Sequence, residues 1–453
     1  MTFYDIAVYN MDSKQVGAIN LNLEETPMKK LLKILKWTGI VLLGIIIILL
    51  IVRLIGKMYY NRTPEGGINE SMYLDVNGQE QWISIYGENK DNPVMLFLHG
   101  GPGDSRSYAD FQIWRKLAKD YTVVNWDQRN AGRTWLHNSQ DSEITPELMR
   151  SDLEMLIDQV LAYTGKDKLT LLGISFGTLY ADDYALRHPE KVECVIDLSV
   201  GVHAGIYTEQ MRQDARDYCD GLLSYDDILA KYSYDFFCCA GKDELGITES
   251  ADIQKMNDGI KRVYLEWTEK DPELHAMAEQ YDTELLTQAL LDPDNSDLRE
   301  AYIERIFPID YKFQEKYGDQ LHFGWQLGWQ ESVFDADFSV LSSVWFNPYY
   351  TLPELCRILT YNSESFISSD KVNLIGDTFA QTLKDNTEYQ MPFYVLQGDH
   401  DDPCGIIRNY YDSVTAPDKD LRYLENGGHM SPMLRSEELE KFIHKIGEKQ
   451  KSN

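Results

Sequence analysis

Leu169-Thr170-Leu171-Leu172-Gly173-Ile174-Ser175-Phe176-Gly177-Thr178 is an apolar run that breaks at Gly-x-Ser-x-Gly and passes directly into a helical pattern from Leu179 to His188. The run reads as a buried strand, and the break reads as a nucleophile elbow: a serine at the tip of a sharp strand-to-helix turn. Small residues are needed on both sides of such a serine, because larger side chains would collide with the strand and the incoming helix; Gly173 and Gly177 meet that need. The five-residue pattern alone is common. Its position between a β-rich run and an amphipathic helix gives it meaning.

Before the elbow, Tyr73-Leu74-Asp75-Val76 and Gln81-Trp82-Ile83-Ser84-Ile85-Tyr86 alternate about Asn77-Gly78, a β-hairpin signal. Val94 to Leu98 is wholly apolar and leads into His99-Gly100-Gly101-Pro102-Gly103, a loop with so few side chains that its amides can approach a ligand. Tyr121 to Trp126 reads as the next strand, Leu148 to Tyr163 as a helix, and Val192 to Leu198 as a strand after the elbow helix. Strands alternating with helices imply an α/β fold: a mostly parallel sheet with helices on both faces. From about Gly205 to Asp370 the pattern turns acidic, aromatic and helical, as expected of a cap inserted into the sheet domain. Strands resume at Pro392 to Leu396, before Gln397-Gly398-Asp399-His400-Asp401-Asp402-Pro403, and at Leu421 to Leu424, before Asn426-Gly427-Gly428-His429.

The front of the chain is different. Trp37 to Val52 is uncharged and rich in Ile and Leu, with Lys33, Lys36 and Arg53 at its edges. It is slightly short of the roughly 20 residues that cross a bilayer, but the flanking cations can snorkel to the interfaces. An uncleaved membrane anchor is expected, because no small-x-small cleavage site follows the run. Lys29, Lys30, Lys33 and Lys36 before the span, against Arg53, Lys57 and Arg62 after it, favour an N-terminus inside and the bulk of the chain outside the cytoplasm. Residues 1 to 27 are acidic and irregular, and the expected start is Met28-Lys29-Lys30.

Across 453 residues, 43% are apolar and 26% charged, an ordinary globular composition, whereas the net charge of −30 argues against nucleic acid as a partner. The six cysteines, Cys194, Cys219, Cys238, Cys239, Cys356 and Cys404, fit no metal spacing, and free thiols are expected; neither a metal nor a cofactor is expected. The expected organisation is a tail (1–30), a transmembrane anchor (31–56), a linker (57–70), the first part of the sheet domain (71–204), a helical cap (205–370) and the second part of the sheet domain (371–453).

A serine hydroxyl is a weak nucleophile that needs a base within hydrogen-bond reach and a third group to fix that base's tautomer. Ser175, Asp401 and His429 follow strand ends in the order this fold requires. Each acid or base has rivals: Asp399 and Asp402 beside Asp401, Asp197, which ends the strand after the elbow, and His400 in the acid's loop. The N–H groups of Phe176 and Gly101 are the expected oxyanion hole.

The set His99-Gly100-Gly101-Pro102-Gly103, Asp127-Gln128-Arg129 with Gly132, Gly173-x-Ser175-x-Gly177, Gly398-x-x-Asp401 and Gly427-Gly428-His429 resembles the prolyl aminopeptidase (proline iminopeptidase) family of α/β-hydrolases over roughly Tyr73 to Val200 and Met391 to the C-terminus. That resemblance implies removal of an N-terminal residue, often proline, from small peptides, with the free amine held by glutamates of the cap. Glu331 is the candidate here, with Trp325 and Trp329 as walls of an apolar pocket. The chain departs from the family at Phe176, where Trp is common, and at Asn130-Ala131-Gly132-Arg133-Thr134, where Gly-x-Gly-x-Ser is common. The functional expectation is a membrane-anchored serine aminopeptidase. The alternatives are a carboxylesterase or amidase on the same machinery, and a non-catalytic binding protein that keeps the fold.

Overall fold

The computed structural model describes residues 27–138, 143–200, 209–232, 245–293, 295–317, 338–360, 369–401 and 406–452. Trp325, Trp329, Glu331, Cys238, Cys239, Asp402 and Cys404 lie outside the described residues. The chain divides into two compact units, Met1–Met58 and Tyr59–Asn453. The first contains most of helix α1 (Pro27–Tyr60), whose stretch Leu31–Tyr60 is long and apolar enough to cross a membrane. Its Leu and Ile side chains are exposed all round, as in Ile34, Ile48 and Leu54.

The second unit is built on an eight-stranded sheet: β1 (Ile68–Val76), β2 (Gln79–Gly87), β3 (Val94–Leu98), β4 (Thr122–Asp127), β5 (Leu169–Ser175), β6 (Val192–Val200), β7 (Phe393–Gly398) and β8 (Lys419–Leu424), in the order β1-β2-β4-β3-β5-β6-β7-β8. β1 and β2 form the expected hairpin, with Asn77 and Gly78 both at positive φ (48° and 76°), the backbone that a two-residue turn of the right twist demands. β2 pairs antiparallel with β4, and from β4 to β8 every pairing is parallel.

Strands buried on both faces need apolar residues at every position, and Val94 to Leu98 has them. Alternate residues pack into two different cores. Leu96, Leu98, Leu171, Val195 and Val395 face helices α4 (Pro146–Thr164) and α5 (Phe176–Arg187). Phe97, Leu172, Ile196 and Leu396 face Trp114 of α2 (Phe111–Leu117) and Phe442 of the C-terminal helix Ser436–Ser452. Helix α4 starts two residues before the expected Leu148: Thr145 Oγ1 accepts from the Leu148 N–H at 3.2 Å, Pro146 occupies the first turn, and Gly165 ends the helix at φ 66°. Helix α3 (Gly132–His137) opens just after β4. Between β6 and β7 the described residues hold helices and turns and no strand; two of these helices, Phe338–Phe346 and Leu352–Leu359, flank Asn347 to Tyr350.

The chain runs from β3 outward to β4, then returns to β5 on the other side of β3. That reversal leaves a crevice at the carboxyl ends of β3 and β5, where open α/β sheets bind ligands. Helix α5 is fixed on its outer side by Asp183, which accepts from Arg150 (2.6 and 3.0 Å), Arg187 Nε (3.0 Å) and Thr382 Oγ1 (2.6 Å). Its inner neighbour Asp182 is fully buried, as is Asp197 of β6, and the two carboxyls interact with each other. Tyr389 and Tyr410, bonded to each other at 3.0 Å, interact electrostatically with both.

Burial pushes the Asp182 carboxyl up to about 7, against an ordinary 3.8, and burial with the charge of Asp182 pushes Asp197 up as well. Because the folded-state values are raised, the pair's stabilising contribution is full below about pH 4 and is lost as pH rises through about 7. Asp182→Asn, which cannot ionise, is therefore expected to flatten this decline. Its melting temperature relative to wild type should rise from pH 5 to pH 8, by the equivalent of ~1–3 kcal/mol. Parallel pH profiles of the two proteins in differential scanning calorimetry would rule out this account of the buried pair.

Candidate active site

The geometry starts from three backbones in contact. Ser175 ends β5 at φ 54°, ψ −126°, a strained conformation for any residue but glycine. A Cβ on Gly173 would lie 2.6 Å from the carbonyl oxygen of Gly177 and 2.7 Å from Thr178 Cα. One on Gly177 would fall on the carbonyl oxygen of Leu98, at the end of β3. A Cβ on Gly100 would meet Ser175 Cβ at 3.0 Å. The glycine requirement inferred from sequence is thus met by strand, helix and the neighbouring loop together.

The loop after β3 is held at its first residue. His99 is buried; its Nε2 accepts from the Gln128 N–H at 3.2 Å while its Nδ1 lies 2.9 Å from the Gly100 carbonyl oxygen. This fixes a neutral ring with the proton on Nδ1. Burial drives its pKa down to about 4, outweighing the carbonyl of Gly100, which raises it. Gln128 Nε2 also donates to the His99 carbonyl at 3.3 Å. Gly101 then sits at φ 114°, where a Cβ would lie 2.7 Å from the Asp104 nitrogen. The N–H of Gly101 therefore follows immediately on the residue that touches Ser175. The N–H of Phe176 is the first of α5, at the end of a helix where amides lack intrahelical partners.

The acid and the imidazole come from two loops that meet through glycines. A Cβ on Gly398, at the end of β7, would land on the carbonyl oxygen of Gly427, in the turn after β8. Packed this closely, the loops bring His429 Nδ1 to 2.9 and 3.0 Å from the two oxygens of Asp401. Gln397 Nε2 donates to Asp401 Oδ2 at 2.7 Å, and Gln397 Oε1 accepts from the Val200 N–H at 2.8 Å, tying the acid to the neighbouring strand. Burial pulls the His429 imidazolium's pKa down, but the charge of Asp401 and the bond to it outweigh this, leaving the value above 6.5. Among the described residues no hydrogen bond joins Ser175 Oγ to His429; such bonds are often long until substrate tightens them.

The rivals separate by position. Asp399 accepts from the N–H groups of Asn426 and Gly427 (3.1 and 2.9 Å), so it shapes the turn that carries His429. Asp197 does not end its strand: β6 continues to Val200, and Asp197 pairs with Gly173 and Val395 in mid-sheet. His400 is buried, and its backbone N–H donates to the Gly427 carbonyl. Gln397, Gln128 and Asp399 escape sequence reading because their roles depend on loops far away in the chain. The cysteines Cys194, Cys219 and Cys356 are free, and among the described residues no group of His, Cys, Asp and Glu could hold a metal ion.

Residues 93–217 match the family model for the alpha/beta hydrolase fold. A probable aminopeptidase of Bacillus subtilis (strain 168), YbaC, is 31% identical over 117 residues, 26% of this chain and 37% of that protein. A proline iminopeptidase of Lactobacillus helveticus (strain DPC 4571) is 30% identical over 139 residues, 30% of this chain and 45% of that protein. The chain thus spans less than half the length of these two curated relatives. A solved proline iminopeptidase-related protein from Thermus thermophilus overlaps 84% of this chain and 98% of its own at 17% identity and a TM-score of 0.41. The chain has the α/β-hydrolase fold, and over about a quarter to a third of its length it is similar to prolyl aminopeptidases.

Gly398→Ala should force the two loops apart and lower hydrolytic turnover by roughly 100-fold or more while the sheet stays folded, since an ångström of misplacement costs about that much. Steady-state kinetics beside far-ultraviolet circular dichroism would check it; full activity in a folded variant would contradict the close-packing argument.

Proposed function

We propose that this chain is a membrane-anchored serine hydrolase, an aminopeptidase that removes the N-terminal residue, proline among the candidates, from short peptides. The observation that carries the reading is the His429 Nδ1 to Asp401 contact at 2.9 Å, on loops at the same sheet edge as the strained Ser175. With Nδ1 bonded to Asp401, Nε2 takes the proton of Ser175 Oγ as that oxygen attacks the scissile carbonyl. The N–H groups of Gly101 and Phe176 receive the developing oxyanion. His429 then gives its proton to the leaving amine, and an acyl group remains on Ser175. In the second half a water loses its proton to His429, attacks the ester and releases the amino acid, restoring the serine.

Glu331 takes the free amine in this reading, by a charge-assisted hydrogen bond, with Trp325 and Trp329 beside it as apolar walls. Helix α1 supplies the anchor, with the hydrolase outside the cytoplasm. The similarity to proteins named proline iminopeptidase and probable aminopeptidase supports the choice of peptides over esters.

The test is a panel of aminoacyl arylamides, proline included, beside short-chain aryl esters, assayed with the full chain in detergent and with Ser175→Ala as control. Cleavage of free-amine arylamides that disappears on N-acetylation is expected. Ester cleavage alone, absent in the control, would move the function to a carboxylesterase or amidase, and no Ser175-dependent turnover would leave a binding protein. Because His429 must be neutral to accept a proton, kcat/KM should fall as pH drops through a value above 6.5. Asp401→Asn removes the groups that raise that value, so its acid limb should move to lower pH, with kcat down on the order of 1000-fold or more.

A further inference from the structure

Asp127 ends β4, is completely buried, and is bonded to the far end of the loop that carries Gly101. Four donors from three separate stretches converge on its carboxylate. Ser105 Oγ donates to Oδ1 at 2.5 Å; Ser107 Oγ and the Arg133 N–H donate to Oδ2 at 2.9 and 2.6 Å, and the Tyr350 hydroxyl lies 3.4 Å from Oδ2. Ser107 Oγ and the Tyr350 hydroxyl also meet at 2.6 Å. The cradle has no room for a side chain at position 132: a Cβ there would fall on Asp127 Oδ2 and lie 2.6 Å from Ser105 Oγ. That explains why a glycine stands three residues after Asp127-Gln128-Arg129.

The three stretches differ in what they do. Ser105 and Ser107 close the loop that begins at His99 and carries Gly101. Arg133 lies in the first turn of helix α3. Tyr350 belongs to the segment between the helices Phe338–Phe346 and Leu352–Leu359, in the region inserted between β6 and β7. A second set of bonds joins the same two loops: Asn347 Nδ2 donates to the carbonyls of Ser107 and Tyr108 at 2.9 and 3.0 Å. Tyr350, Leu355 and Ile358 pack with Tyr108 and Trp135 in a small core of their own, separate from the two cores of the sheet. The loop bearing Gly101 is therefore pinned at His99 by Gln128 and at Ser105 and Ser107 by Asp127. Its far end is bonded to the inserted helical region and not to the sheet alone.

We propose that Asp127 is a positioning residue that holds the Gly101 N–H at Ser175 and, through Ser107 and Tyr350, makes that placement depend on the seating of the inserted helices. Substrate entry that shifts Asn347 to Tyr350 then acts on the oxyanion loop without any contact between those residues and the reacting atoms. The inference rests on the serine hydrolase reading for its effect on turnover, while the coupling between the loop and the inserted region stands on the bonds alone.

Two readouts separate these levels. Tyr350→Phe keeps the ring and removes only the hydroxyl; Ser107→Ala removes the bridging oxygen. In each, amide hydrogen exchange over residues 99–108 of the full chain should speed up several-fold without substrate, since the loop loses an anchor. In turnover of an aryl ester or arylamide, kcat should fall roughly 5- to 30-fold with KM within about threefold, the pattern of a contact made in the transition state. Asp127→Asn should cost more, about 100-fold, because its amide sets a donor against the Arg133 N–H. The double variant Tyr350→Phe/Ser107→Ala should lose less than the product of the single losses, because both act through one carboxylate. Unchanged exchange in both single variants, or a loss confined to KM, would overturn the proposal. Faster exchange combined with a wild type that turns over no substrate would uphold the coupling and sink the hydrolase reading instead.

Discussion

Helix α5 presses so closely on the end of β3 that no side chain fits between them, and the geometry around Ser175 depends on that approach. Gly177 lies on the Leu98 carbonyl, Gly173 on the turn after the serine, and Gly100 on the serine itself. The cost is a strained Ser175 backbone. The surrounding packing covers it: Phe176, Leu179 and Tyr180 are buried on the same helix, and Asp183 pins it to Arg150, Arg187 and Thr382. An exposed loop could not hold a residue in that conformation.

The second close approach, Gly398 on Gly427, does for the acid and the imidazole what the first does for the serine. Neither loop is rigid by composition. Rigidity comes from buried polar groups whose partners are supplied from elsewhere in the chain: Gln397 between Asp401 and Val200, and Asp399 across the turn that carries His429. Buried polar groups are costly when unpaired and specifying when paired, so each of these bonds selects one loop arrangement over its neighbours. Asp182 and Asp197 are the exception. Both are fully buried, where burial favours their protonated, uncharged forms.

The segment Asp127-Gln128-Arg129 shows how one short motif serves several masters. Arg129 forms a buried ion pair with Asp152 of α4, with Nε to Oδ2 at 2.6 Å, and Asp152 in turn accepts from Gln81 and Asn77 of the β1–β2 hairpin. Gln128 holds His99, and Asp127 gathers the loop that carries Gly101, α3 and Tyr350. Three consecutive side chains thus join the antiparallel edge of the sheet, the Gly101 loop and the inserted helices. The motif marks the resemblance to the prolyl aminopeptidases, and its physical work is positioning.

Local sterics are written in the order of residues, and there the chain could be read directly. Gly173, Gly177, the Asn77-Gly78 turn and the unbroken apolar run Val94 to Leu98 each state a backbone requirement within a few residues. The succession of strands, the elbow and the positions of Asp401 and His429 follow from such requirements. What could not be read depends on partners far away in the chain. Three aspartates crowd positions 399 to 402, and only the approach of the loop after β8 assigns His429 to Asp401 and the turn amides to Asp399. Asp197 looks like a strand-end acid until the pairing of β6 carries the strand on to Val200. Tyr350 gives no local sign that it meets Asp127, more than two hundred residues before it. Steric exclusion acts between neighbours, so the residue order alone settles the backbone each short stretch can adopt. Charge and hydrogen bonding act through space, so which carboxylate is paired, which is buried and which meets the imidazole was settled only when the fold brought distant segments together.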